Sequence, residues 1–376
     1  MSQAPSARRR ASALLGAPSL DRLAWIDRRF AVYAVALGVA NGLFSIAGNL
    51  GWDFDIFWQT ARQVAAGHGA YDATLALGVD HWGPQGRTYV SPPVLAHVLA
   101  PFTALPEVVA FAAWCLLGAA AVVFAARMLG PDATCRRLPR FLAGLGVLWI
   151  GLLIGQVNLF VLAGLLLVVG ARDDRLAGAG LAVAVLLRGT PAVFGVLLLL
   201  EGRWRAIAWA AVVGLVAALA APPAEWSTYV DMVRSLLALP AVSSWWQASP
   251  AQVATWLPLV ATAGVAVVAL GAVRLPDEAR QLRATALGLW LVLGASTAWF
   301  HWYAFALAPL YVDGHTTGWG RRALLAFLVV GWLPIPIGSW AAMIAGSVLL
   351  GGLVARVIVA WVRHVPANAR GVAAAT

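Results

Sequence analysis

The stretch Gly51-Trp52-Asp53-Phe54-Asp55-Ile56-Phe57-Trp58, GWDFDIFW, closes an apolar run that begins near Phe30. Ahead of that run stand Arg8, Arg9, Arg10, Arg22, Arg28 and Arg29. Basic residues collect on the cytoplasmic flank of a membrane span, and aromatic side chains settle at its interfaces. The order basic, apolar, acidic therefore reads as a first span with its N-terminus inside, ending near Trp52 at the outer interface. The basic preface is long for a signal peptide and no Ala-x-Ala exit stands out, so the span is expected to stay uncleaved. Two carboxylates, two residues apart, then stand where the chain reaches the outer water.

The composition agrees. Of 376 residues, 61% are hydrophobic and 11% charged, with mean hydropathy +0.81. A soluble domain runs roughly 45–50% apolar and about 25% charged, so this chain reads as a polytopic membrane protein. Its 19 Trp suit many membrane–water interfaces. The formal charge of +10, carried wholly by Arg, fits loops held on the cytoplasmic side, and nucleic acid is not an expected partner. Cys115 lies in an apolar helix and Cys135 beside Arg136, which implies neither a disulfide framework nor a metal site.

Arg recurs in clusters, at 127–140, 172–175, 203–205, 274–283, 321–322 and from 356 onward, while 51–105 and 222–250 are nearly free of it. Placing clusters inside and sparse loops outside gives spans near 30–51, 106–128, 141–154, 156–171, 176–187, 190–200, 206–222, 250–273, 284–298, 302–314, 323–336 and 340–362. The expected fold is all-α: a polytopic transmembrane bundle of about twelve spans with both termini cytoplasmic. Several pieces fall short of the ~20 helical residues a bilayer needs, and are expected to be broken helices buried among neighbours. A basic tail (1–29), a membrane domain (30–362) with outer loops 52–105 and 223–249, and a second tail (363–376) complete the organisation. Pro92–Ala104 is too short to cross and reads as a helix in the outer interface.

On this threading, isolated polar residues all land on the outer side: Asp53 and Asp55 after the first span, Gln156 and Asn158 in IGQVN, Arg188 in LLRGTPA, Gln247 and Ser249 in SSWWQASP, His301 in STAWFHWY. Ionisable groups at membrane depth point to function. Each also has a plainer reading. Asp53 could cap the following helix and Asp55 could be a first-turn acid. Arg188 could snorkel to the interface, although Gly189 and Pro191 beside it suggest a broken helix. His301, between Trp299 and Trp302, could belong to an interfacial belt. Gln156 and Asn158 could join helices by hydrogen bonds. His68, His81 and His97 are too dispersed for a metal site, Arg87 reads as exposed, and no phosphate-binding glycine loop is present.

An acid, a cation and a histidine at one face of an apolar protein suit a substrate that is half lipid, half polar. Arg holds a phosphate with paired donors, and an acid can accept a proton from an attacking hydroxyl. Nucleotide sugars lie on the cytoplasmic side, so a sugar donor used at the outer face is carried by lipid. The chemistry expected is glycosyl transfer from a polyprenyl-phosphate sugar. A transporter or flippase of lipid-linked sugars is the rival class, with charges spread along a pathway instead of gathered at one face.

Five blocks in order carry a resemblance: WDFDIFWQTARQVAAGHGAYD, YVSPPVLAHVLAPFTALP, IGQVNLFVLAGLLL, LAGAGLAVAVLLRGTPAVFGVLLLLEGRWR and STAWFHWYAFALAP. Together, over roughly residues 50–310, they resemble glycosyltransferase family 87, membrane enzymes of the GT-C fold exemplified by α-(1→2)-mannosyltransferases. The resemblance implies hexosyl transfer, mannose first and arabinose as the alternative sugar, from a polyprenyl-phosphate donor to a glycolipid or glycan acceptor. It places the reaction at the outer face of the cell membrane, with no cofactor and no metal. It also implies Asp53 as catalytic base, with Asp55, Tyr89 of the Tyr-x-x-Pro-Pro motif, Gln156, Asn158, Gln247 and His301 in supporting or substrate-binding positions. Arg188 stands where relatives often carry Lys before x-x-Pro. Gln247-Ala248-Ser249 departs from the family's usual Asn-Gln-Ser.

Overall fold

The computed structural model describes residues 50–78, 88–128, 146–238, 250–294, 300–306 and 335–363, with a few single positions between them. The first span, both tails, Gln247 and Ser249 lie outside the described residues. All regular structure among the described residues is helical. In chain order the helices are α1 (Trp52–Ala65), α2 (Asp72–Leu77), α3 (Pro93–Leu99), α4 (Glu107–Met128), α5 (Gly146–Leu153), α6 (Asn158–Gly170) and α7 (Asp174–Arg188). They continue as α8 (Phe194–Leu200), α9 (Trp204–Ala218), α10 (Pro223–Ala238), α11 (Leu257–Gly271), α12 (Ala279–Leu293) and α13 (Ile335–Arg363).

Three helical segments are long and apolar enough to cross a membrane: Glu107–Met128, Leu257–Arg274 and Ile337–Arg363. Their outer faces stay uncovered, with Val108 at 77% and Leu116 at 71% exposure on α4, as a lipid-facing surface requires. The other apolar helices are short, and the count of twelve crossings is not reached among the described residues. Their shortness has a physical licence. On α6, Val161, Leu162, Leu165, Leu166 and Val168 are buried, so protein and not lipid surrounds its ends. It packs on α7, where Gly164 and Gly180 face each other and bring the two backbones together, and α7 in turn packs on α9. Most of α12 is buried as well.

The Arg clusters are interleaved with carboxylates at one end of this bundle. Arg203 meets Asp174 at 2.7 Å, Arg280 meets Glu201 at 3.0 Å, and Arg356 meets Glu278 at 2.5 Å. Asp174 opens α7 and Arg188 ends it, so the ion network and the polar group around Arg188 are separated by about 21 Å at 1.5 Å rise per residue.

Two expected boundaries change. Helix α13 runs unbroken through 336–340, where a turn between two spans was expected; Pro336 falls in its first turn, where a missing N–H is tolerated. The second outer loop, expected from 223, begins instead as helix α10, turned 110° from α9. Trp226 Nε1 donates to the Ala218 carbonyl at 3.0 Å across that elbow. Glu225 accepts from the Ala70 amide at 3.1 Å and pairs with His97 Nε2 at 2.9 Å. The second loop is thereby tied onto α3, the helix expected at Pro92–Ala104 and found at Pro93–Leu99 with a following 3-10 turn.

Candidate active site

Helix α1 starts against the end of α5. The Gly51 and Asp53 amides donate to the Leu153 and Ile154 carbonyls, each at 2.8 Å, and the Phe54 amide also reaches Ile154. The unsatisfied first-turn donors of one helix thus meet the unsatisfied last carbonyls of another. Capping is done by backbone, with Gly51 as N-cap and no side-chain cap bond. The capping reading of Asp53 therefore falls away, and its carboxylate is left for other partners.

Gly155 turns the chain from α5 into α6 at φ 79°, and a β-carbon there would overlap Phe54. Trp114 Nε1 donates to the Gly155 carbonyl at 3.0 Å, and Phe54, Phe111 and Trp114 pack around the turn. Gly155→Ala combines a left-handed backbone, unfavourable for any L side chain by about 1–2 kcal/mol, with that overlap. The expected outcome is a lower unfolding temperature in detergent and loss of the site, checked by thermal unfolding of the purified variant.

The turn delivers Gln156 to Asp53: its Nε2 donates to Asp53 Oδ2. Arg188, at the end of α7, sends Nη1 to Asn158 Oδ1 at 2.7 Å and to Gln156 Oε1 at 3.4 Å. One continuous chain of contacts thus joins the carboxylate to the guanidinium through the Gln156 amide, with Asn158 as a second acceptor on the guanidinium. The Trp302 ring covers the guanidinium, with its centroid 4.0 Å from Cζ. Asn158 Nδ2 and Trp302 Nε1 are buried and have no hydrogen-bond partner among the described residues. Burial pushes the Asp53 carboxyl up to about 6, while the Gln156 hydrogen bond and the Arg188 charge pull the other way. A carboxylate held there can accept a proton near neutral pH, with a cation close by to hold an anion.

The other expected residues fall differently. Asp55 accepts from Gln59 Nε2 at 3.2 Å, one turn along the same helix. Tyr89, expected to touch substrate, is 2% exposed. Its hydroxyl donates to the Pro92 carbonyl at 2.6 Å and accepts from the Ala96 amide at 3.2 Å, so both functions are taken up in folding the Tyr-x-x-Pro-Pro turn onto α3. His301 lies in the 3-10 turn Phe300–Tyr303 beside Trp302, its side chain outside what is described. Gln247 also lies outside.

Three contributors escaped the sequence reading. Trp302 was legible only as an interfacial aromatic. Trp114 sits in an apolar helix with nothing to mark it. Tyr229 lies on α10, within an expected loop, and stacks on Tyr71 at 6.4 Å. At the α9–α10 elbow, an open, mostly apolar cavity of about 540 Å³ is lined by His97, Leu215, Leu219, Ala221, Pro222 and Trp226 among others.

Set against known proteins, residues 89–310 match the model of glycosyltransferase family 87. The matched range holds Gln156, Asn158, Arg188 and His301 and begins after α1. No curated protein and no solved structure matches the chain.

Proposed function

Because the chain belongs to glycosyltransferase family 87 and is thus a membrane glycosyltransferase, we propose that it transfers mannose from a polyprenyl-phosphate donor to a glycolipid or glycan hydroxyl at the outer face of the cell membrane. The observation that carries this reading is the contact chain Asp53–Gln156–Arg188, a raised-pKa acid linked to a half-buried cation.

In the reaction, Asp53 accepts the proton of the acceptor hydroxyl as that oxygen attacks the anomeric carbon. The bond from that carbon to the phosphate oxygen breaks, and polyprenyl phosphate leaves with the electron pair. Arg188 binds the phosphate before and after. With Asp53 as the one base and a β-linked donor, the displacement is single and inverts the anomeric centre, giving an α-linked product. Gathering of the site's polar groups at one end of α7 favours transfer over passage through the membrane, the flippase reading.

The test is incubation of membranes carrying the chain with polyprenyl phosphomannose labelled in the sugar, and in parallel with labelled polyprenyl phosphoarabinose. Label entering a glycolipid or glycan from the mannose donor supports the proposal. Transfer from the arabinose donor alone would reassign the sugar, and label that crosses the bilayer still on its original lipid would replace the transferase with a flippase.

A further inference from the structure

The C-terminal end of α7 is a poor place for an anion. Its last carbonyls carry partial negative charge, and Arg188 has already committed Nη1 to Asn158 and Gln156. A phosphate held at this end would be better satisfied with a donor beyond Arg188. The described residues offer one on α10.

Tyr229 is set beside Arg188 by several independent contacts. Its ring stacks on Tyr71 at 6.4 Å and meets Trp226 edge-on at 6.2 Å. One turn earlier, Glu225 ties the helix to the Ala70 amide and to His97. The hydroxyl reaches the backbone just after Arg188, where a β-carbon placed on Gly189 would stand 3.4 Å from it. Gly189 itself has φ 35°, a conformation that side chains disfavour, so the residue suits both the chain's turn and the approach of the phenol. The Tyr229 hydroxyl makes no hydrogen bond to any described residue. Burial raises the phenol's pKa and outweighs the Arg188 charge, which keeps the O–H a donor at neutral pH.

We propose that Tyr229 is a substrate-binding residue, its O–H donating to the phosphate of the lipid-linked sugar beside Arg188, so that α10 in the second loop completes the donor site. This rests on the reading of Arg188 as the phosphate ligand. It assigns the helix a binding role: docking of α10 through Glu225 and His97 brings the second phosphate donor into place.

The experiment compares the full chain with Tyr229→Phe, which keeps the ring and both aromatic contacts. Donor and acceptor are titrated separately in membranes or detergent. Binding of polyprenyl phosphate, the leaving group, is measured independently of turnover by the rise it gives in unfolding temperature. Loss of a hydrogen bond to a charged group is expected to lower kcat/KM for the donor about 10- to 100-fold. Polyprenyl phosphate affinity should weaken by a similar factor, with the acceptor KM and the unfolding temperature of the free protein unchanged. Parent-like donor kinetics and product binding in Tyr229→Phe would overturn the proposal. So would a rise confined to the acceptor KM, or a drop in the unfolding temperature of the free variant, which would reveal a structural partner for the hydroxyl. Arg188→Ala run in parallel separates the two levels. Weak donor binding there with a parent-like Tyr229→Phe removes only the role of Tyr229, whereas parent-like donor binding in both removes the phosphate site itself.

Discussion

Asp53→Asn is expected to fold and to lose transfer by about 10²–10⁴-fold, the usual loss on removing a general base. Asn keeps the shape, and its Oδ1 can still accept from Gln156, while the first-turn amides of α1 remain bonded to Leu153 and Ile154 whatever residue stands at 53. A structural role would therefore survive the change. The pH dependence adds a second readout. With the carboxyl at about 6, the parent's kcat/KM for acceptor should climb with pH through that value and level off above it, because only the ionised form takes a proton. Stability runs the opposite way. The folded state holds the proton more tightly than the unfolded chain, so ionising Asp53 disfavours folding. That penalty is absent below the ordinary carboxylate range, grows up to about pH 6 and persists above it. Asn abolishes it, so the variant should unfold at an equal or higher temperature than the parent above pH 6. Asp55→Asn, which keeps an amide oxygen able to accept from Gln59 on the same helix, should keep turnover. A dead Asp55→Asn beside an active Asp53→Asn would show that the base is the other carboxylate.

Arg188→Ala is expected to weaken donor binding by about 2–5 kcal/mol, the cost of removing a partly desolvated charged partner from the phosphate. The damage should extend past the phosphate. Asn158 Oδ1 and Gln156 Oε1 lose the donor between them, and Trp302 loses the cation over its ring. The Arg188 charge also holds the Asp53 carboxyl down, so in its absence the rising limb of the pH–rate profile should move to higher pH. Arg188→Lys keeps the charge but offers a compact ammonium in place of a planar fork, and cannot bridge two amides while stacking on indole. It should restore the pH profile further than it restores donor affinity. Donor titrations at several pH values check both effects, and an unchanged donor KM in Arg188→Ala would exclude the guanidinium as phosphate ligand.

Much of this protein is legible in its residues. Composition alone puts it in a membrane, because 61% hydrophobic and 11% charged residues leave no polar coat for water. Long apolar runs mark helices such as α4, and glycine and proline beside Arg188 mark the break after α7. These signals are local, since each depends on residues a few positions apart. The order of the five resembling blocks likewise needed no structure, and the family match over 89–310 agrees with it.

The pairing of side chains was decided only by packing. Gln156 meets Asp53 across 103 positions, and Trp302 meets Arg188 from a different helix. In a chain this apolar, nearly every helical face is hydrophobic, so periodicity cannot tell a face turned to protein from one turned to lipid, nor fix the rotation that aims a side chain at its partner. The same limit hid the opposite fates of two motif residues. Asp53, read as a base that could also cap its helix, has the first amides of that helix bonded to α5 instead, while Tyr89, read as a supporting or substrate-binding residue, spends both hydroxyl bonds on its own turn. Sequence determined that the chain is a helical membrane protein carrying scarce polar residues in a family's order. Tertiary structure decided which of them touch, because contact depends on where helices of unequal length end against one another.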